Sequence, residues 1–86
     1  MAETTFLSTL GMRIRELRKQ RNLSQNELAL QCNFEKASLS RIECGKTNVT
    51  ILTLKKISEA LQADMSEFFE NGVENKQSSE DRVQRI

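Results

Sequence analysis

Glu35, Lys36, Ala37, Ser38, Ser40 and Arg41 form a run of small, hydrogen-bonding or charged residues set between the apolar positions Phe34, Leu39 and Ile42. On a helix, Leu39 and Ile42 lie three apart on one face, which turns the run outward. Side chains of that kind suit an outer face that enters a groove. Bond-breaking chemistry has little to work with: the chain has no His, no Tyr, no Gly-rich phosphate loop and no nucleophile beside a base. Its paired carboxylates stand only at helix-capping spacing or as surface charges. The chain is read as a non-enzyme that needs no cofactor.

A second short stripe precedes the run. Leu28 and Cys32 are four apart, with Ala29 beside them, so a helix over 25–32 and another over 36–43 must bury their stripes against each other. Ser24 followed three residues later by Glu27 is the capping-box spacing that starts the first of them. Asn33 is the break, because Asn tolerates the left-handed conformation that ends a helix and turns the chain.

At these residues the chain resembles the helix-turn-helix domains of the Cro and lambda-repressor type. The resemblance rests on Leu23-Ser24-Gln25-Asn26-Glu27-Leu28-Ala29, on Leu39-Ser40-Arg41-Ile42-Glu43 and on Gly45-Lys46. It extends outward to Ile14-Arg15-Glu16-Leu17-Arg18 and to Thr53-Leu54, Ile57 and Leu61, covering about 10–69. Three positions depart from the usual pattern. Asn33 stands where Gly is commonest, Glu35 where Ser or Thr caps the second helix, and Val49 where many members carry Pro. Glu35 is the weaker cap and sets one acidic side chain near the outer face.

The resemblance implies an all-α, compact five-helix lambda-repressor-like domain that binds double-stranded DNA as a transcriptional regulator. In that reading the 36–43 helix lies in the major groove and the 25–32 helix braces it. Carried over residue by residue, Lys36, Ala37 and Arg41 hold base-reading positions, and Gln25 opens the bracing helix where members touch phosphate. Lys46, with Thr47 and Asn48, approaches the DNA backbone from the loop. Ser38 and Ser40 serve either role or stand as solvated helix residues. The alternative for Arg41 is an ion pair with Glu16 or Glu27 brought close by the fold. A narrower version is a restriction–modification controller protein, whose members are of similar size and carry a comparable Asn48-Val49-Thr50-Ile51-Leu52-Thr53-Leu54 run. A protein-interaction module, antitoxin or adaptor, using the same fold is the alternative.

Three further helices complete the domain. One spans about 8–21 with the stripe Leu7, Leu10, Ile14 and Leu17; one follows Thr50 with Ile51, Leu54, Ile57, Ser58 and Leu61; a short last one follows the Asp64/Glu67 capping box and delivers Met65, Phe68 and Phe69. Phe68 and Phe69 are assigned to a homodimer contact, as aromatics are enriched at interfaces, with core-edge packing as the alternative. The domain is placed at 6–70. Residues 71–86 are read as an acidic solvated tail or a short dimer-contact helix.

The net charge of +1 divides into −1 over residues 1–9, +6 over 10–56 and −4 over 57–86, a basic body with an acidic end. With the helix pattern, that asymmetry favours a polyanionic partner over mere solvated faces. No apolar run reaches the ~18–20 residues of a membrane span, and the first residues carry no secretion signal, so a cytoplasmic location is expected. Cys32 and Cys44 are expected as thiols, Cys32 on the buried stripe and Cys44 exposed; two cysteines without His make no zinc site. No small-molecule ligand is expected.

Overall fold

The computed structural model describes residues 3–69, with side chains from residue 5 onward. The assigned tail, 71–86, lies outside them. Four α-helices, α1 (Glu3–Gln20), α2 (Gln25–Cys32), α3 (Lys36–Glu43) and α4 (Ile51–Leu61), are followed by a 3-10 helix, Met65–Phe69.

Both ends of α2 and the start of α4 have a local cause. The Ser24 hydroxyl accepts from the Glu27 N–H while the Glu27 carboxylate accepts from the Ser24 N–H, the full capping box expected at the start of α2. Asn33 ends that helix at φ 62°, and the Phe34 N–H then reaches back to the Ala29 carbonyl at 2.8 Å. Thr50 caps α4 through the Thr53 N–H. Glu35, the cap of α3, makes no side-chain capping bond, in line with its weak propensity for that role.

The core is a single cluster. Leu10, Ile14 and Leu17 of α1 meet Leu28, Ala29 and Cys32 of α2, Leu39 and Ile42 of α3, and Leu54, Ile57 and Leu61 of α4. α1 packs on α3, α2 on both α3 and α4, and the 3-10 helix on α1 and α4.

The structure corrects the sequence at three points. The fifth helix is a 3-10 helix: the Glu67 N–H donates to the Asp64 carbonyl three residues back, and of the capping box the Asp64 N–H to Glu67 carboxylate bond is made at 3.1 Å. α1 starts at Glu3 rather than near Ser8. Ile51, placed on the buried stripe of α4, is 66% exposed, although Leu54, three residues on, is 3% exposed and lies in the core. Among the described residues no helix is long and apolar enough to cross a membrane.

Candidate nucleic-acid interface

α3 is held by its buried side. Leu39, Ile42 and Glu43 point inward, whereas Lys36, Ala37, Ser38 and Arg41 are exposed and Ser40 is half-buried. A buried glutamate needs a partner, and Arg18 of α1 supplies it. Its Nε donates to Glu43 Oε2 at 2.7 Å and its Nη2 to Oε1 at 3.2 Å, while Nη1 donates to the Leu23 carbonyl at 2.8 Å. The Gln25 amide adds a third donor to the carboxylate, at 2.9 Å from Oε1. Three elements thus converge on the C-terminal end of α3, and its angle is fixed there.

Two glycines let the chains approach. A Cβ on Gly11 would sit 2.5 Å from the carbonyl oxygens of Ile42 and Glu43, so α1 can lie against the end of α3 only without a side chain there. Gly45 turns the chain out of α3 at φ 73°, where a Cβ would also stand 2.6 Å from the Ser8 backbone. The Lys46 N–H closes the turn on the Arg41 carbonyl at 2.9 Å.

Beyond the turn, the loop and the start of α4 face α3 across a cleft of about 340 Å³. Ser38 and Arg41 line one side, Thr47 and Asn48 another, with Phe34 and Val49 as apolar wall. Four of the nine residues assigned to DNA therefore share one opening. Lys36 and Ala37 lie on the first turn of α3, Lys46 is exposed where the loop begins, and Gln25 stands at the other end of α3, against Glu43.

The cations differ in what holds them: Arg15 and Lys19 of α1 are exposed and make no side-chain bond among the described residues, Lys55 pairs with Glu59 at 3.8 Å and Lys56 lies over the Phe34 ring. Arg13 donates from Nε to the Glu67 carbonyl at 2.8 Å and pairs with Glu16 at 3.2 Å; Arg21 donates to the carbonyls of Leu61 and Gln62 at 2.7 and 3.3 Å. With Arg18, these hold the fold. Lys36, Arg41 and Lys46 make no side-chain bond to protein among the described residues. The ion pair weighed for Arg41 is not formed among those residues, since Glu16 pairs with Arg13 and Glu27 closes the α2 cap.

Of the two aromatics assigned to a subunit contact, Phe68 is 2% exposed and belongs to the core. Phe69 is 42% exposed and stacks on Phe6 of α1, ring centroids 6.2 Å apart and planes 13° from parallel. Adjacent helical positions diverge, and only one ring reaches the interior. Cys32 is buried and Cys44 exposed, both free thiols. Burial pushes the Cys32 thiol above its ordinary value, partly offset by the nearby Lys56 ammonium.

Arg18, Glu43 and Gly11 were not singled out from the sequence. Arg18 lies four after Ile14 and Glu43 four after Leu39, the helical step to a buried face, which is the signal that finds them.

The helix-turn-helix family profile matches residues 14–68. The control protein C.MunI of Mycoplasma sp is 40% identical over 60 residues, 69% of this chain and 81% of its own length. The transcriptional regulator SlrR of Bacillus subtilis is 39% identical over 62 residues, 71% of this chain but only 41% of its length. The crystal structure of the restriction–modification controller protein C.AhdI from Aeromonas hydrophila superposes with a TM-score of 0.73 at 31% identity, covering 74% of this chain and 97% of that one. Fold, capped turn and matched residues agree: the chain belongs to the helix-turn-helix family of DNA-binding transcriptional regulators.

Proposed function

We infer that the protein binds a specific double-stranded DNA operator as a homodimer, acts in the cytoplasm, and is not an enzyme. The observation that carries this reading is the contrast among its cations: Arg13, Arg18 and Arg21 are bound to protein, while Arg41 stands exposed at a cleft shared with Ser38, Thr47 and Asn48. Arg41, Lys36 and Ala37 read base edges from the major groove, with Ser38 and Ser40 beside them. Lys46, Thr47, Asn48 and Gln25 contact the phosphates that set the register.

A single recognition helix covers few base pairs, so two copies related by a two-fold axis would occupy half-sites roughly 34 Å apart, giving a pseudo-palindromic operator. Apolar surface for such pairing is present in the Phe6–Phe69 stack and in Ile51 and Leu52, 66% and 73% exposed on the first turn of α4. The resemblance to C.MunI, to the control protein C.BamHI of Bacillus amyloliquefaciens and to C.AhdI supports the narrower reading of a restriction–modification controller.

Selection from random duplexes followed by titration at increasing salt tests the function. A dimer with ~6–10 phosphate contacts loses ~10³–10⁵ in affinity between roughly 50 and 200 mM salt. A flat response, or no binding at low salt, would transfer the function to a protein partner, as an antitoxin or adaptor.

A further inference from the structure

The Glu43 carboxylate receives two N–H groups from Arg18, at 2.7 and 3.2 Å, which already balance its charge. The third donor, Gln25 Nε2 at 2.9 Å, is not needed for that balance. Its consequence falls on Gln25 itself. A carboxylate only accepts, so the amide must turn its NH₂ group inward, and the flip of this half-buried side chain is settled by the buried pair. One amide hydrogen is tied to Glu43; the other makes no bond among the described residues and can donate at the first residue of α2.

We propose that the buried Arg18–Glu43 pair is a positioning device for DNA binding: it orients the Gln25 amide so that its second N–H meets a backbone phosphate. This rests on the reading of Gln25 as a phosphate contact. A free glutamine side chain must be ordered when it binds; one held in place beforehand has already lost that freedom. Glu43 also belongs to α3, so the phosphate anchor on α2 and the recognition helix move as one body. A change at the base-reading end is thereby coupled to the register set on the backbone.

The test uses the full chain and a duplex selected from a random pool. Gln25→Ala should lower affinity about tenfold, the worth of one hydrogen bond to a charged group, and leave the salt slope unchanged because no cation is removed. Replacing the pair by apolar residues, Arg18→Met with Glu43→Leu, avoids an unpaired buried charge and should keep the fold, checked by thermal unfolding. That variant should lose a similar tenfold, and adding Gln25→Ala to it should cost nothing more. Wild-type affinity in the apolar variant, or a further tenfold loss in the triple variant, overturns the proposal. If Gln25→Ala alone binds like wild type, the phosphate assignment fails and the proposal with it; if wild type selects no duplex, the DNA-binding reading itself fails. Should the apolar variant not fold, the Gln25 side-chain amide resonances decide. Distinct, slowly exchanging signals in free protein that shift on adding the duplex support positioning, whereas signals like those of an exposed glutamine overturn it.

Discussion

Arg13 and Arg18 of α1, with Arg21 just past its end, and the cations around α3 are the same chemistry put to opposite uses. Arg13, Arg18 and Arg21 each donate to a carbonyl or carboxylate contributed by another part of the chain, between 5 and 54 residues away. Lys36, Arg41 and Lys46 hold their charges in solvent, Arg41 at the mouth of the cleft. A basic stretch is therefore a poor locator of a polyanion site until its donors are accounted for. Guanidinium suits the bracing role because five N–H donors can satisfy several oxygens at once, as Arg18 does with Glu43 and Leu23. Arg21 does the same at the left-handed turn of Gln62, φ 55°, where it closes on two consecutive carbonyls.

If the comparison holds, the two groups fail differently. The largest effect is expected for Glu43→Gln, which leaves the Arg18 guanidinium buried without a counter-charge. Breaking such a pair costs about 3–5 kcal/mol, enough to unfold a small domain, and denaturant titration should find the midpoint strongly lowered. A midpoint near wild type would mean that water or another carboxylate replaces Glu43. Next in size is Arg21→Ala, expected to destabilise by about 1–2 kcal/mol through loss of its bonds to the end of α4 while leaving base preference untouched. Altered operator preference in that variant would move Arg21 into the DNA-facing group.

The α3 side should show the reverse pattern. Arg41→Ala is expected to leave thermal stability within about 0.5 kcal/mol, as for an exposed position that has no partner among the described residues. The same change should relax selection at one base pair per half-site, where a guanidinium on a guanine edge supplies ~1–3 kcal/mol of discrimination. Unchanged base preference after repeated site selection would remove Arg41 as a reader. The smallest change is expected for Lys46→Ala, which should weaken all sequences alike and reduce the salt slope by about one unit for each phosphate no longer neutralised. A sequence-dependent loss would instead place Lys46 on a base edge.

Local signals in the sequence reach as far as three or four residues, and what they decide they decide well. The Ser24–Glu27 box, Asn33 in the left-handed region and the Thr50 cap set α2, α3 and α4 at their observed boundaries, because each is a hydrogen bond or a backbone torsion contained within one turn. The buried stripes of α2 and α3 follow from periodicity alone. Tertiary structure decided what periodicity leaves open. Ile51 continues the apolar pattern of α4 yet is exposed, since a stripe gives the spacing of apolar positions but not which of them a neighbouring element covers. Phe68 and Phe69 are equally apolar, and only packing against α1 and α4 separates the core ring from the surface ring. The pairing of Arg18 with Glu43 across 25 residues, the approach permitted by Gly11, and the gathering of Ser38, Arg41, Thr47 and Asn48 around one cleft arise from helices docking at particular angles. Those angles come from the fit of the whole core, which no short window of residues contains.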